Sequence, residues 1–330
     1  MPHLPSSARL TELLGRAHGR RIAVIGDVML DVYVSGDVDR ISPEAPVPVV
    51  RVRSRTYALG GAANVAQNVT AAGAQCTLLG VVGADREGTT IREMLVATDV
   101  RANALVEVGR CTTQKTRILA RAQQLVRVDE EEDRDLTGDE LARVIEAVHA
   151  VVSDADALVL EDYNKGVLVS PVIRAALEAA RARGIPSVVD PKFRNFFLYR
   201  GATIFKPNRR ELESAVGASI DIEHPEALPD LLGRLGVEHL LLTLGEQGMV
   251  LISEAGELAR VPTVARSVYD VVGAGDTVTA YLATMLAAGA SPVEAASIAN
   301  IAAGIEVGKL GAQTVSPAEI LEHAEWMALQ

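Results

Sequence analysis

Short apolar runs recur along the chain, each closed by glycine, proline or acidic residues, and apolar residues at helical spacing fill the stretches between them. After a polar start with a short helix around Ala8–Ala17, Arg21–Asp27 reads as a buried strand entering a tight turn, and Cys76–Val82 as the next one. Arg86–Ala97 is predicted helical. From residue 136 the alternation is regular. Helices are predicted at Leu136–Val152 and Pro171–Arg183, from Asn208, and at Pro292–Val307. Strands are predicted at Ala157–Leu160, Ser187–Asp190, Thr203–Phe205 and His239–Leu244, followed by a hairpin of Met249–Ser253 and Glu257–Val261. Such alternation predicts an α/β domain with a mostly parallel central sheet.

Two stretches depart from the pattern. Ser42–Pro48 is too rich in proline for a central strand or a helix, and Val49–Arg53 then alternates apolar and basic residues. Thr112–Ala120 and Gln123–Asp129 read as a second hairpin. Together, segments 34–57 and 111–129 predict a small antiparallel β flap on a single domain spanning 1–330. Lys115, Arg117, Arg121 and Arg127 alternate along it, as cross-strand surface charge or as a basic face that helps hold a phosphate. The acidic run Asp129–Asp135 reads as a solvated loop.

Composition narrows the function. With 32 basic and 43 acidic residues the net charge is −11, which argues against a nucleic-acid surface. Cys76 and Cys111 are the two cysteines and have no metal-ligand spacing. No stretch reads as a signal peptide or membrane span, so a soluble cytoplasmic protein is expected. The first strand ends in one glycine, Gly26, rather than in the glycine fingerprint of a dinucleotide fold. Asp27 and Asp31 follow it, either as ligands at a strand end or as solvated turn acids.

The candidate chemistry centres on Asp270-Val271-Val272-Gly273-Ala274-Gly275-Asp276, which leads into an apolar helical pattern. Backbone N–H groups of Gly273, Ala274 and Gly275 at a helix start make an anion site. A carboxylate at its rim, Asp276, is either a helix N-cap or a base that takes a proton. Gly60-Gly61-Ala62-Ala63-Asn64 opens another helix, with Asn64, Gln67 and Asn68 on its polar side and Asn64 placed to bind a polyol. Three strand ends, at Glu161–Gly166, Asp190–Lys192 and Lys206–Asn208, would line one crevice with Asp162, Lys165, Asp190, Lys192, Asn208 and Glu211. Thr243 and Gly245, with Gly248 in the same turn, suit a nucleotide, and Asn300 either faces an adenine or is exposed.

These motifs resemble the ribokinase-like (PfkB) carbohydrate kinase family, from Ile22 to Gly311. Gly60–Asn64 is similar to its N-terminal signature and Asp270–Asp276 to its C-terminal one, while Asn208-Arg209-Arg210-Glu211 resembles its Asn-x-x-Glu motif. The resemblance implies a ribokinase-like αβα sandwich with the flap as a lid. It implies Asp276 as catalytic base, Gly273–Gly275 as anion hole, and Asp31, Gly60, Gly61 and Asn64 on the sugar. Asn208, Glu211, Thr243 and Gly245 would then hold ATP and Mg²⁺, with Glu211 reaching the metal through water, and Asp270 would lie in a monovalent-cation loop. Segments 26–33 and 40–49 resemble the branch that phosphorylates O1 of D-glycero-β-D-manno-heptose 7-phosphate on the way to the lipopolysaccharide core. For the substrate's own phosphate the candidates are Lys165, Lys192 and Arg117. No His-x-Gly-His motif of a fused nucleotidylyltransferase is present, so a stand-alone kinase is expected, dimeric through its flap edges. Kinases of other sugars and a non-catalytic sugar or nucleotide sensor are the competing readings.

Overall fold

The computed structural model describes residues 4–120, 123–221, 228–265 and 268–329. In chain order the strands are β1 (Arg21–Gly26), β2 (Val28–Ile41), β3 (Pro48–Gly61), β4 (Gln75–Leu79), β5 (Val81–Gly83), β6 (Val106–Val108), β7 (Thr113–Ala120) and β8 (Gln123–Glu130). They continue as β9 (Ala157–Glu161), β10 (Ser187–Asp190), β11 (Ile204–Phe205), β12 (His239–Thr243), β13 (Met249–Ser253) and β14 (Leu258–Val261). The large sheet runs β14-β13-β12-β11-β10-β9-β1-β4. It is parallel from β12 to β4, with β13 and β14 added antiparallel at one edge.

Strands buried on both faces need apolar residues at every position, and β1 shows how two cores result. Ile22 and Val24 point into one layer, with the helices Ser7–Ala17, Ala62–Ala71, Ala274–Ala287 and Pro292–Glu306. Ala23 and Ile25 point into the other, with the helices Gly138–Ser153, Ser170–Arg183 and Leu228–Leu235. This is the expected αβα sandwich. No described helix is long and apolar enough to cross a membrane.

The second sheet has the order β3-β2-β7-β8. It consists of two antiparallel hairpins, β2–β3 and β7–β8, joined through the parallel pair β2–β7. Three sequence expectations change here. Asp27–Asp31 is no turn, because the chain passes from β1 almost directly into the long strand β2. Gly60 and Gly61 end β3 rather than forming a separate turn. Cys76–Val82 divides at Gly80, where a side chain would meet the Gly26 carbonyl at 2.8 Å and Val28 at 2.5 Å, so the chain leaves the large sheet there. Arg121 lies outside the described residues. Arg127 pairs with Asp129 at 2.8 Å on the exposed strand β8, as surface charge does.

Candidate active site

Strands β9, β10 and β11 end side by side, and alternation decides what their last residues face. Val159, Val188 and Ile204 point into the layer that holds the helix Ala274–Ala287, whereas Leu160, Val189 and Phe205 point away from it. Counting on by two places Glu161, Asp190 and Lys206 on the helix side. Asp190 lies opposite Glu161 in register, and Lys206 donates from Nζ to Asp190 Oδ2 at 2.7 Å.

Above them begins the helix Ala274–Ala287. Its N-cap is Gly273, at φ +94°, and no side chain caps it. Asp276 therefore stands in the first turn without being the cap, which removes the bland reading of this residue. Its carboxylate turns away from its own helix and accepts hydrogen bonds from Asn64 Nδ2 at 2.6 Å and Tyr163 Oη at 2.9 Å. The Ala274 N–H reaches back only to Val271 O, at 3.5 Å. First-turn N–H groups have no intrahelical acceptor, so this end offers donors to an anion.

Asn64 is held by its own helix. Its Oδ1 accepts from Gln67 Nε2 at 2.6 Å and its carbonyl from Asn68 Nδ2 at 3.0 Å. With Oδ1 occupied, the amide group has to donate toward Asp276. Asn64 and Asn68 are buried, so the polar side of this helix forms a ladder into the site instead of facing solvent. The helix can begin here because of Gly61, at φ +58°, where a side chain would meet the Asp27 carbonyl at 2.4 Å.

Burial pushes the Asp276 carboxyl up to about 6; the Asp190 charge adds to this and the Asn64 and Tyr163 donors oppose it. Glu161 is fully buried and neither of its oxygens has a hydrogen-bond partner. Burial first, then the charges of Asp190 and Asp276, hold it well above the usual carboxylate range. Burial pulls Lys206 down, but Asp190 and Glu161 outweigh that and keep it charged. One oxygen each from Glu161, Asp190 and Asp276 lies within 4.8 Å of the others, a hard donor set able to hold a cation.

A stability prediction follows for Glu161. The folded protein keeps its proton at pH values where the unfolded chain has lost it. Stability should therefore decline as pH rises from the usual carboxylate range through the raised one. Glu161→Gln should lessen that decline, and its melting temperature should exceed that of the parent above neutral pH by about 1–2 °C per kcal/mol recovered. Thermal melts from pH 5 to 9 measure it; parallel curves would contradict it.

The other expected residues fall into groups. Asp31 accepts from Arg117 Nη1 at 2.6 Å and lies against Gly60, where a side chain would meet Asp31 Oδ2 at 2.9 Å. Asp31, Gly60, Gly61, Asn64 and Arg117 thus line one side of the site. Asn208 and Thr243 form a bridge at the ends of β11 and β12, and Gly245 opens the next turn. Glu211 accepts from the Asn208 N–H at 2.9 Å in a capping box and pairs with Lys192. Near them lies a cleft of about 540 Å³ lined by Leu244, Gln247, Met249 and Val261. Gly248, at φ +84°, would clash with the Val261 carbonyl if it bore a side chain, and serves the turn. Asp270 accepts from the Val272 and Gly311 N–H groups at 3.1 and 3.3 Å, tying the loop before the anion site to the one after Glu306.

Two expected residues are engaged elsewhere. Asp162 faces the opposite layer from Glu161 and accepts from Tyr199 Oη and the Asn164 N–H, each at 2.7 Å. Asn300 is buried and donates to the Pro262 carbonyl at 2.8 Å. Conversely, Glu161, Tyr163 and Lys206 went unassigned. The parity of the strand ends was the signal for Glu161 and Lys206. Tyr163 lies beyond the strand, where alternation no longer applies.

Residues 20–319 match the pfkB family carbohydrate kinase profile. The chain belongs to that family. Its pfkB fold is shared with phosphofructokinase-2 from Escherichia coli in complex with potassium (TM-score 0.79, 20% identity, covering 94% of this chain and 99% of that one). It is shared also with Arabidopsis thaliana ribokinase complexed with ribose and ATP (TM-score 0.73, 20% identity, 93% and 98%). Among curated relatives, the bifunctional protein HldE of Pelobacter propionicus is 46% identical over 94% of this chain and 64% of its own length. That of Rhodospirillum rubrum is 42% identical over 97% and 65%. The chain thus spans under two thirds of these pfkB relatives. The family is one of carbohydrate kinases.

Proposed function

We propose that the chain transfers the γ-phosphoryl group of ATP to O1 of D-glycero-β-D-manno-heptose 7-phosphate, giving the 1,7-bisphosphate used for ADP-heptose and the lipopolysaccharide core. The observation that carries phosphoryl transfer is Asp276, a buried carboxylate steered by Asn64 and Tyr163 beside the open N–H groups of Gly273–Gly275. The choice of sugar is supported by the resemblance of segments 26–33 and 40–49 to the heptose kinase branch and by the identity to the HldE proteins. Phosphorus NMR of the product tests it: a new resonance coupled to the anomeric proton is expected, and phosphorylation at another carbon would overturn it.

In this reading Asp276 accepts the proton of the anomeric hydroxyl while the Gly273–Gly275 amides stabilise charge on the group in flight. Asp31, Gly60 and Asn64 hold the sugar, and Asn208, Thr243 and Gly245 the nucleotide. Glu211, whose carboxylate takes the Asn208 N–H and the Lys192 ammonium, would reach hydrated Mg²⁺ through water, and the ion when bound would neutralise the β- and γ-phosphates. The loop tied by Asp270 would take a monovalent cation. The second sheet closes over the sugar as a lid and excludes water from the reaction.

Asp276 must be ionised to act. Because its pKa is pushed up to about 6, kcat/KM should be level above neutrality. It should fall about tenfold per pH unit on the acid side. A profile flat down to pH 4.5 would contradict this role.

The outer face of the second sheet exposes Val52, Leu125, Val126 and Val128, and its edges β3 and β8 carry unpaired backbone groups. A homodimer through this sheet, in the cytoplasm where ATP is supplied, completes the proposal. Sedimentation should give twice 34.9 kDa, and Val126→Asp should give the monomer; a monomeric parent would sink it.

A further inference from the structure

The sequence offers Lys165, Lys192 and Arg117 for the phosphate that the substrate already carries, and each of the three is paired with a carboxylate. Arg117 gives its guanidinium to Asp31 at 2.6 Å and stacks over Tyr33 at 5.3 Å. Lys192 pairs with Glu211 on the nucleotide side. Two residues before Arg117 on β7, and so on the same face, is Lys115, opposite Asp31 of β2. It is only partly exposed, and among the described residues it makes no ion pair. Its ammonium stands over the ring of Tyr163, 5.7 Å from the centroid. Lys165, whose Nζ is 2.7 Å from Glu131, is its cationic neighbour. Burial, then the Lys165 charge, holds Lys115 below the usual lysine range. Two neighbouring ammonium groups, one of them unpaired and partly desolvated, are relieved by an anion between them.

Tyr163 sets the distance. Its hydroxyl donates to Asp276 at 2.9 Å, and the ammonium groups of Lys115 and of the Glu211-paired Lys192 stand over its ring, 5.7 and 5.2 Å from the centroid. One phenol ring therefore separates base from cation, about the span from a sugar's reacting hydroxyl to a group at its opposite end. We propose that Lys115 and Lys165 bind the phosphate monoester already present on the sugar, at the carbon remote from the hydroxyl that Asp276 deprotonates. The inference rests on the sugar-phosphate reading above. Lys115 would be the specificity-determining residue, since Lys165 is shared with Glu131 and Lys115 is free to take a dianion.

Calorimetry without ATP tests it. Heptose 7-phosphate and the unphosphorylated heptose are titrated into the parent protein and into Lys115→Gln, Lys165→Gln and Lys115→Arg, with steady-state kinetics alongside. Loss of one charged hydrogen bond should weaken heptose 7-phosphate by about 10- to 100-fold in Lys115→Gln. Lys165→Gln should follow in the same direction, Lys115→Arg should recover most of the affinity, and KM should change more than kcat. Equal weakening of both sugars would mark Lys115 as structural and overturn the proposal. If the parent binds heptose 7-phosphate and Lys115→Gln binds it as tightly, this inference alone fails. A parent that binds only the unphosphorylated sugar would overturn the sugar-phosphate reading as well.

Discussion

Replacing Asp276 with asparagine should lower kcat by about 10²–10⁴-fold. The substitution keeps the shape of the side chain and still leaves an oxygen to accept from Asn64 or Tyr163, so the helix start and its N–H groups should stay in place. What disappears is the ability to take a proton. The loss should therefore fall on kcat, with KM for ATP little changed, and the acid limb of the pH profile should vanish with it. Single-turnover measurement of ADP release at saturating sugar gives the number directly. Turnover within a few-fold of the parent would mean that the hydroxyl is deprotonated by something other than Asp276.

Gly273→Ala should be the second most damaging change. At φ +94° an L-residue is strained, by about 1–3 kcal/mol. The added carbon would also lie 3.2 Å from each of Ala312 Cβ, Asn64 Nδ2 and Glu306 Oε1. None of these is free to yield. Asn64 is held by Gln67 and Asp276, and Glu306 is buried beneath the turn, which pushes its carboxyl up to about 8. The turn carrying the N–H donors has to shift instead, and displacing one such donor costs about 10²–10³-fold in kcat. Steady-state kinetics measure it, with circular dichroism confirming the fold. Parent-like kcat would mean that the Gly273–Gly275 amides do not face the transferring group.

Much of this architecture is legible without coordinates. The alternation from residue 136 onward gives the parallel sheet, and a Gly-x-Gly before an apolar helix marks the anion site, because both are local. Legibility ends where the decisive contact is remote in sequence. Asp27 resembles a turn acid, yet its carboxylate accepts N–H groups of Tyr163 at 2.7 Å, Lys165 at 3.0 Å and Val167 at 3.2 Å. It is a buried anchor for the loop after β9. Gly80 gives no local sign that β1 passes close beside it. Asp162 and Glu161 are alike as residue types, and only strand parity separates them. Counting by two from Val159 would have put the glutamate, not the aspartate, beneath Asp276. Lys115 and Arg117 share one face of β7, and only their partners tell them apart: Arg117 pairs with Asp31, whereas Lys115 stands over Tyr163.

The most direct test of the account is ADP release with Mg-ATP, comparing heptose 7-phosphate with ribose, fructose and fructose 6-phosphate. The account predicts turnover on the heptose phosphate, with kcat/KM well above that for every other sugar. Preferential turnover of an unphosphorylated sugar would leave the fold and Asp276 in place but contradict the proposed substrate and its phosphate site together.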